Sequence, residues 1–398
     1  MNFSKKAGQI AASITLEITA KADEMKANGI NVIGFGAGQP DFNTPKNIRD
    51  AAIYAIENGY TKYTPVSGIK ELKMAICDKF KRDNNLNYSL SNIIVSTGAK
   101  QCLSDTFSAL LNPGDEVILS APYWVTYPEL IKLNDGISVI INTTEENHFK
   151  LSVDDLENAY TSKTKAILIN SPSNPTGTVY TETELKAIAE FAKEKDLFII
   201  SDEIYEKLIY DGERHVSIAS LSQDAFNRTV VINGMSKSYA MTGWRLGYAA
   251  SGSSEFIKLM SNIQAHTTSN ANSITQYASV EALNGRQEEL HSMVTEFEKR
   301  RTYMSKRVNN ITGIHCLLPK GAFYVMMNIS NLFGKEINGV KINNSVDFSK
   351  ELLSENKVAV VPGTGFGNDN YVRLSYATSM DNIVKGLDEI ENFIGKLR

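Results

Sequence analysis

The chain has 398 residues, 42% hydrophobic and 22% charged, with a net charge of −4. That composition supplies a large core, excludes a disordered or collagen-like chain, and lacks the basic excess that marks a nucleic-acid binder. No run reaches the roughly 18 to 20 apolar residues of a membrane span, no apolar signal-peptide core follows the N-terminal lysines, and Cys77, Cys102 and Cys316 form neither a zinc spacing nor a disulfide framework, so a soluble cytoplasmic protein without a metal site is expected. In chain order, a helical pattern over 13–28 and a strand over 31–35 come first. Short apolar runs then alternate with longer helical patterns: a strand over 93–96, a helix over 100–111, strands over 116–120, 138–141 and 166–170, a helix over 183–195, and strands over 197–202, 229–234 and 247–250. This rhythm predicts an α/β fold, a mostly parallel sheet flanked by helices, whose ligands gather beyond the carboxyl ends of the strands. From about 287 the pattern changes to a long charged helix over 288–309 and strands over 314–318, 323–328, 358–361 and 371–375. The expected division is a large domain over 46–286 and a smaller α+β domain made of 1–45 with 287–398.

Candidate chemistry clusters at the predicted strand ends. Lys237 follows the apolar run Val230, Val231, Ile232, with Ser236 before it and Arg245 eight places on. An amine there suits a Schiff-base lysine, with a cation nearby for a phosphate. The turn Ser96-Thr97-Gly98-Ala99-Lys100 joins a strand to a helix. Its small residues let a ligand approach the free N–H groups of the helix start, although many such turns are plain tight connections. Asn174 sits between two prolines, Pro172 and Pro175, which either stiffen it as a fixed donor or simply make a turn. Asp202 ends a buried strand, with Tyr205 close behind. A buried acid needs a partner, and a pyridinium nitrogen is one; a helix N-cap is the plain alternative. Arg373 lies among apolar neighbours in a strand pattern, where a guanidinium needs an anion, either a ligand carboxylate or a structural ion pair. Trp124, one of two tryptophans, offers an indole to stack on a flat ring or to fill the core.

Together these residues resemble one family, the class I/II aminotransferases of pyridoxal-phosphate fold type I, and within it the bacterial aspartate aminotransferase subgroup. The resemblance runs from Phe35-Gly36-Ala37-Gly38-Gln39-Pro40 to Val372-Arg373-Leu374-Ser375, with Ser236-Lys237 through Gly243-Trp244-Arg245 at its centre. It implies that Lys237 carries the cofactor, pyridoxal 5′-phosphate. Asp202 then pairs with the pyridine nitrogen, and Tyr205 and Asn174 meet the phenolic oxygen. Gly98, Ala99, Lys100, Ser236 and Arg245 surround the phosphate, and Trp124 stacks on the ring. Tyr63 reaches the phosphate of a second subunit, which implies a homodimer with shared sites. Arg373, with Gly38, Asn174 and Trp124, holds the substrate α-carboxylate.

The same subgroup implies that Lys100, helped by Ser13 and Thr15, meets the distal carboxylate of a dicarboxylic substrate. Lys100 as an ordinary solvated lysine is the alternative. Relatives that accept prephenate carry a lysine where this chain has Ala11, which disfavours that substrate. The expected reaction is L-aspartate with 2-oxoglutarate by a ping-pong mechanism. Other aminotransferases of the class (aromatic, alanine, prephenate or kynurenine-type) and a C–S β-lyase using the same Lys237 are the competing readings. Nucleic acid and membrane are not expected partners.

Overall fold

The computed structural model describes residues 3–11 and 14–398, the side chains of 14–17 and 19 apart. Its centre is a seven-stranded sheet: β1 (Ile93–Ser96), β2 (Glu116–Ala121), β3 (Ile137–Asn142), β4 (Thr164–Asn170), β5 (Phe198–Asp202), β6 (Thr229–Gly234) and β7 (Gly247–Ser251). The spatial order is β1-β7-β6-β5-β4-β2-β3, and β7 alone runs against its neighbours. Successive side chains of a strand point to opposite faces. In β2, Val117 and Leu119 pack with Leu103, Phe107 and Ile257, while Ile118 packs on the other side with Leu185 and Ile188. The β4 pairs Ala166/Leu168 and Ile167/Ile169 split the same way. Helices therefore cover both faces, which is why these strands read as continuous apolar runs. Each fully buried Ile, Leu or Val contributes roughly 1.5–3 kcal/mol relative to exposure.

Helix α1 (Ile14–Ala27) packs with Val32, Leu353 and Ala359 rather than on this sheet, and the helices around the sheet include α2 (Lys46–Glu57), α3 (Lys70–Asn84), α4 (Ala99–Leu110), α5 (Thr126–Leu133), α6 (Glu182–Glu194), α7 (Ser254–Thr267) and α8 (Ser273–Asn284). The long α9 (Glu288–Asn309) leads to a three-stranded antiparallel sheet with order β9-β10-β8, made of β8 (Tyr324–Asn328), β9 (Val361–Pro362) and β10 (Tyr371–Ser375). Two further helices, α10 (Ser345–Asn356) and α11 (Met380–Lys396), complete this C-terminal region. Among the described residues no helix is long and apolar enough to cross a membrane.

Two C-terminal expectations are corrected. The run 314–318 is not a strand: only His315 bridges Asn328. The Asn309 side chain takes both backbone groups of Cys316, and Pro319 has no N–H to extend a ladder. The run 358–361 is two strands. Val358–Ala359 pairs in parallel with Ile33–Gly34, and then Val361–Pro362 pairs antiparallel with β10, Val361 opposite Arg373.

Register sets the edge of the central sheet where the chemistry gathers. Asn170 lies beside Asp202, and Asp202 beside Ile232. Gly247 faces Gly234 on one side and Ser96 on the other. A Cβ on Gly247 would strike the backbone of Gly98 and Ala99, so glycine there lets the start of α4 close onto the sheet.

Candidate active site

The turn entering α4 has Gly98 as its N-cap with φ +89°, a conformation for glycine rather than for a residue with Cβ. Among the described residues the N–H groups of Ala99 and Lys100 have no partner, whereas that of Gln101 donates to the Gly98 carbonyl at 3.0 Å, and a helix N-terminus favours anions. Arg245, itself left-handed at φ 55°, donates from Nη1 to the Thr242 carbonyl at 2.9 Å. Its Nη2 sits so close to Gly98 that a Cβ on that residue would lie 2.6 Å away. Ser236 is buried at the start of the same connection, which runs from β6 to β7. Lys237 follows, half-buried, with Nζ donating to the Gly38 carbonyl at 2.5 Å. Nζ also stands 5.8 Å from the ring centre of Tyr205 and 5.7 Å from that of Phe323. Burial, then the positive charges of Arg373 and Arg245, pull the Lys237 pKa down to about 8, with Asp202 opposing.

Asp202 is buried at the end of β5. Its Oδ2 accepts from the Tyr127 hydroxyl at 2.7 Å and its Oδ1 from the Ile204 N–H at 3.3 Å. Burial pushes its pKa up to about 6 against those two donors. The Asn170 amide donates to the Asp202 carbonyl and accepts from the Asn174 N–H at 2.8 Å, so strand end and turn are locked together. Asn174 Oδ1 in turn accepts from Arg373 Nη1 at 2.9 Å. Trp124 stands edge-on to Tyr127, centroids 5.2 Å apart, and Lys100 Nζ lies 5.0 Å from the Trp124 ring centre.

Arg373 projects from β10 into this group. It is 2% exposed and lies against the rings of Tyr324 and Phe366, at 4.3 and 4.9 Å. Nη2 donates to the Gly36 carbonyl at 3.1 Å, and Nε has no partner among the described residues. Lys100, Lys237, Arg245 and Arg373 thus cluster, and no carboxylate pairs with any of them among the described residues. Among the described residues Asp202 is the one acid beside them, and its hydrogen bonds come from a phenol and an amide. Such a site attracts anions and suits a flat ring held between Trp124 and the β5 edge, with an anionic substituent at α4.

Gly38, Gly98, Ala99, Lys100, Trp124, Asn174, Asp202, Tyr205, Ser236, Lys237, Arg245 and Arg373 are therefore brought to one place. Tyr63 is not; it is 91% exposed on the loop between α2 and α3. Ser13 lies outside the described residues, and Thr15 falls within α1 with its side chain outside them. Sequence reading missed Tyr127 and Tyr324. Tyr324 hydrogen-bonds Tyr205 hydroxyl to hydroxyl at 3.0 Å and underlies Arg373. Tyr324 sits in an apolar stretch that reads as core; for Tyr127 the available signal was its position three residues after Trp124 on the first turn of α5.

Residues 30–390 match the family model for aminotransferases of class I and II. The chain is 51% identical over 396 residues, 100% of each chain, to aspartate aminotransferase of Bacillus subtilis (strain 168). Among solved structures it is similar to the aspartate aminotransferase of Rhizobium meliloti, with TM-score 0.96, 41% identity and 100% of each chain covered. It is also similar to aspartate aminotransferase of Thermus thermophilus solved with maleate, with TM-score 0.92 and 39% identity over 98% of this chain and 99% of that one.

Proposed function

The chain belongs to the class I and II aminotransferases, and from that premise we propose that it is a pyridoxal-phosphate-dependent aspartate aminotransferase, converting L-aspartate and 2-oxoglutarate to oxaloacetate and L-glutamate. The observation that carries this reading is the cluster of four cations around Lys237 that have no carboxylate partner among the described residues. Cofactor phosphate, α-carboxylate and distal carboxylate would together supply the missing negative charge. The relative solved with maleate was solved with a dicarboxylate of aspartate's carbon count.

The residues fit the cofactor. Gly98, Ala99 and Lys100 offer the N–H groups of α4 to the phosphate, with the Ser236 hydroxyl and Arg245 beside them. Trp124 offers a ring face, Tyr205 and Asn174 offer donors for the phenolic oxygen, and Asp202 is a buried acid for the ring nitrogen. When bound, pyridoxal phosphate provides an electron sink for negative charge developing at the substrate α-carbon. Lys237 would hold the cofactor through its aldehyde. Its Nζ then takes the α-proton and returns it, a role suited to an amine whose pKa is drawn down to about 8. Arg373, with Asn174, Trp124 and the Gly38 backbone, clamps the α-carboxylate, and Lys100 with Ser13 and Thr15 meets the distal one. Residues 1–45 and 287–398 form the unit that closes over 46–286 to exclude water.

We read the working form as a cytoplasmic homodimer. Ile53, Tyr54 and Ile56 are exposed apolar residues of α2, and all three cysteines are free. The test is a panel of amino donors offered to the reconstituted protein with 2-oxoglutarate, alongside Lys237→Ala. Aspartate should be the preferred donor, and the variant should lose several orders of magnitude in rate. Near-normal turnover by Lys237→Ala, or pyruvate released from cystathionine without an oxo acid, would overturn the reading.

A further inference from the structure

Tyr127 is 2% exposed, on the first turn of α5. Its ring packs edge-on against Trp124, and its hydroxyl donates to Asp202 Oδ2 at 2.7 Å. One side chain therefore touches both the indole that would lie on the cofactor ring and the carboxylate that would face its nitrogen. Burial and the neighbouring Asp202 charge push the phenol pKa well above its ordinary value, so it stays a donor. The adjacent acid, Glu203, does not compete for this bond; its oxygens accept from Ser201, Ser217 and His215.

We infer that Tyr127 is a positioning residue that keeps Asp202 ionised and correctly turned, so that the proton shared between Asp202 and the cofactor ring nitrogen rests on the nitrogen. This rests on the reading of Asp202 as the partner of that nitrogen. The physical step is one proton and no other atom: on the nitrogen the pair is carboxylate and pyridinium, on the oxygen it is carboxylic acid and neutral ring. A hydrogen bond from Tyr127 stabilises the first pair more than the second, because it strengthens when its acceptor is charged. Removing it moves the proton toward the oxygen and weakens the ring as an acceptor of electrons. Loss of a bond to a charged group shifts such a ratio on the order of tenfold.

The test uses full-length holoenzyme loaded with ring-¹⁵N pyridoxal phosphate, reading the nitrogen chemical shift at one fixed pH. Wild type should give a pyridinium-like shift. Tyr127→Phe, which keeps the ring packed on Trp124, should move it toward the unprotonated position, and site-specific difluorotyrosine at 127, a stronger donor, should move it the other way. Identical shifts in wild type and both variants would reduce Tyr127 to packing and overturn the inference. Failure of the cofactor to bind, or an unprotonated ring in wild type that Asp202→Asn leaves unchanged, would instead overturn the reading of Asp202.

Discussion

A guanidinium laid between two aromatic rings, bonded only to an amide oxygen and a backbone carbonyl, keeps its full charge for a ligand. That is the condition of Arg373. Arg373→Ala should lower kcat/KM for every amino acid by about 2–5 kcal/mol, the cost of removing one side of a buried carboxylate pair. Lys100→Ala should instead penalise aspartate far more than alanine, because only the longer substrate carries a second carboxylate. Steady-state kinetics with both donors separates the roles, and equal losses for the two would refute the one given to Lys100. At this scale the sequence was legible where a residue's chemistry was out of place: a lysine, an acid and an arginine at the ends of apolar runs. It was silent for Tyr127 and Tyr324. A buried tyrosine is ordinary core, and what distinguishes Tyr127 is a bond to Asp202, 75 residues away in the chain.

Elements buried on both faces were the most legible, since their apolar runs have no competing explanation. The failures came where side chains replaced the backbone ladder, as Asn309 does at Cys316, or where one apolar run served two sheets, as at 358–361. The connection after β5 shows another device that no pattern exposes. Glu206 pairs with Lys79 of α3, both side chains nearly inaccessible, and Asn84 bonds to each. Burial alone would raise the Glu206 pKa, but Lys79, then Lys207 and His215, outweigh it and hold it down to about 2. Glu206→Gln leaves Lys79 buried without its counter-charge, and should destabilise the protein by about 3–5 kcal/mol in urea unfolding near neutral pH. The folded pKa is depressed, so the wild-type advantage is complete above the ordinary carboxylate range and fades as pH falls toward about 2. The gap between wild type and variant should close in that acid window, and a gap independent of pH would show that charge is not its source.

For the molecule as a whole, the α/β class and the position of the site at the strand ends follow from the order of apolar runs. Assembly is less legible, because an exposed Tyr63 looks like any surface residue until a second chain is considered. The proposed dimer makes a sharp prediction. Mixed chains, Lys237→Ala with Tyr63→Ala, should form hybrids in which one site has an intact Lys237 from one chain and an intact Tyr63 from the other. Refolding the two inactive or weakened proteins together should restore activity that neither shows alone, and no gain on mixing would remove Tyr63 from the shared site. The four cations around Lys237 have a consequence outside the protein as well. Gathered with a single acid, they repel one another, and any small anion in solution relieves part of that repulsion. Chloride, sulfate and inorganic phosphate thereby act as rivals of the substrate, so the apparent affinity for a dicarboxylate belongs partly to the medium. A rise in ionic strength weakens the long-range attraction, while occupancy of the anion sites blocks them outright, and the two effects differ between salts of equal ionic strength.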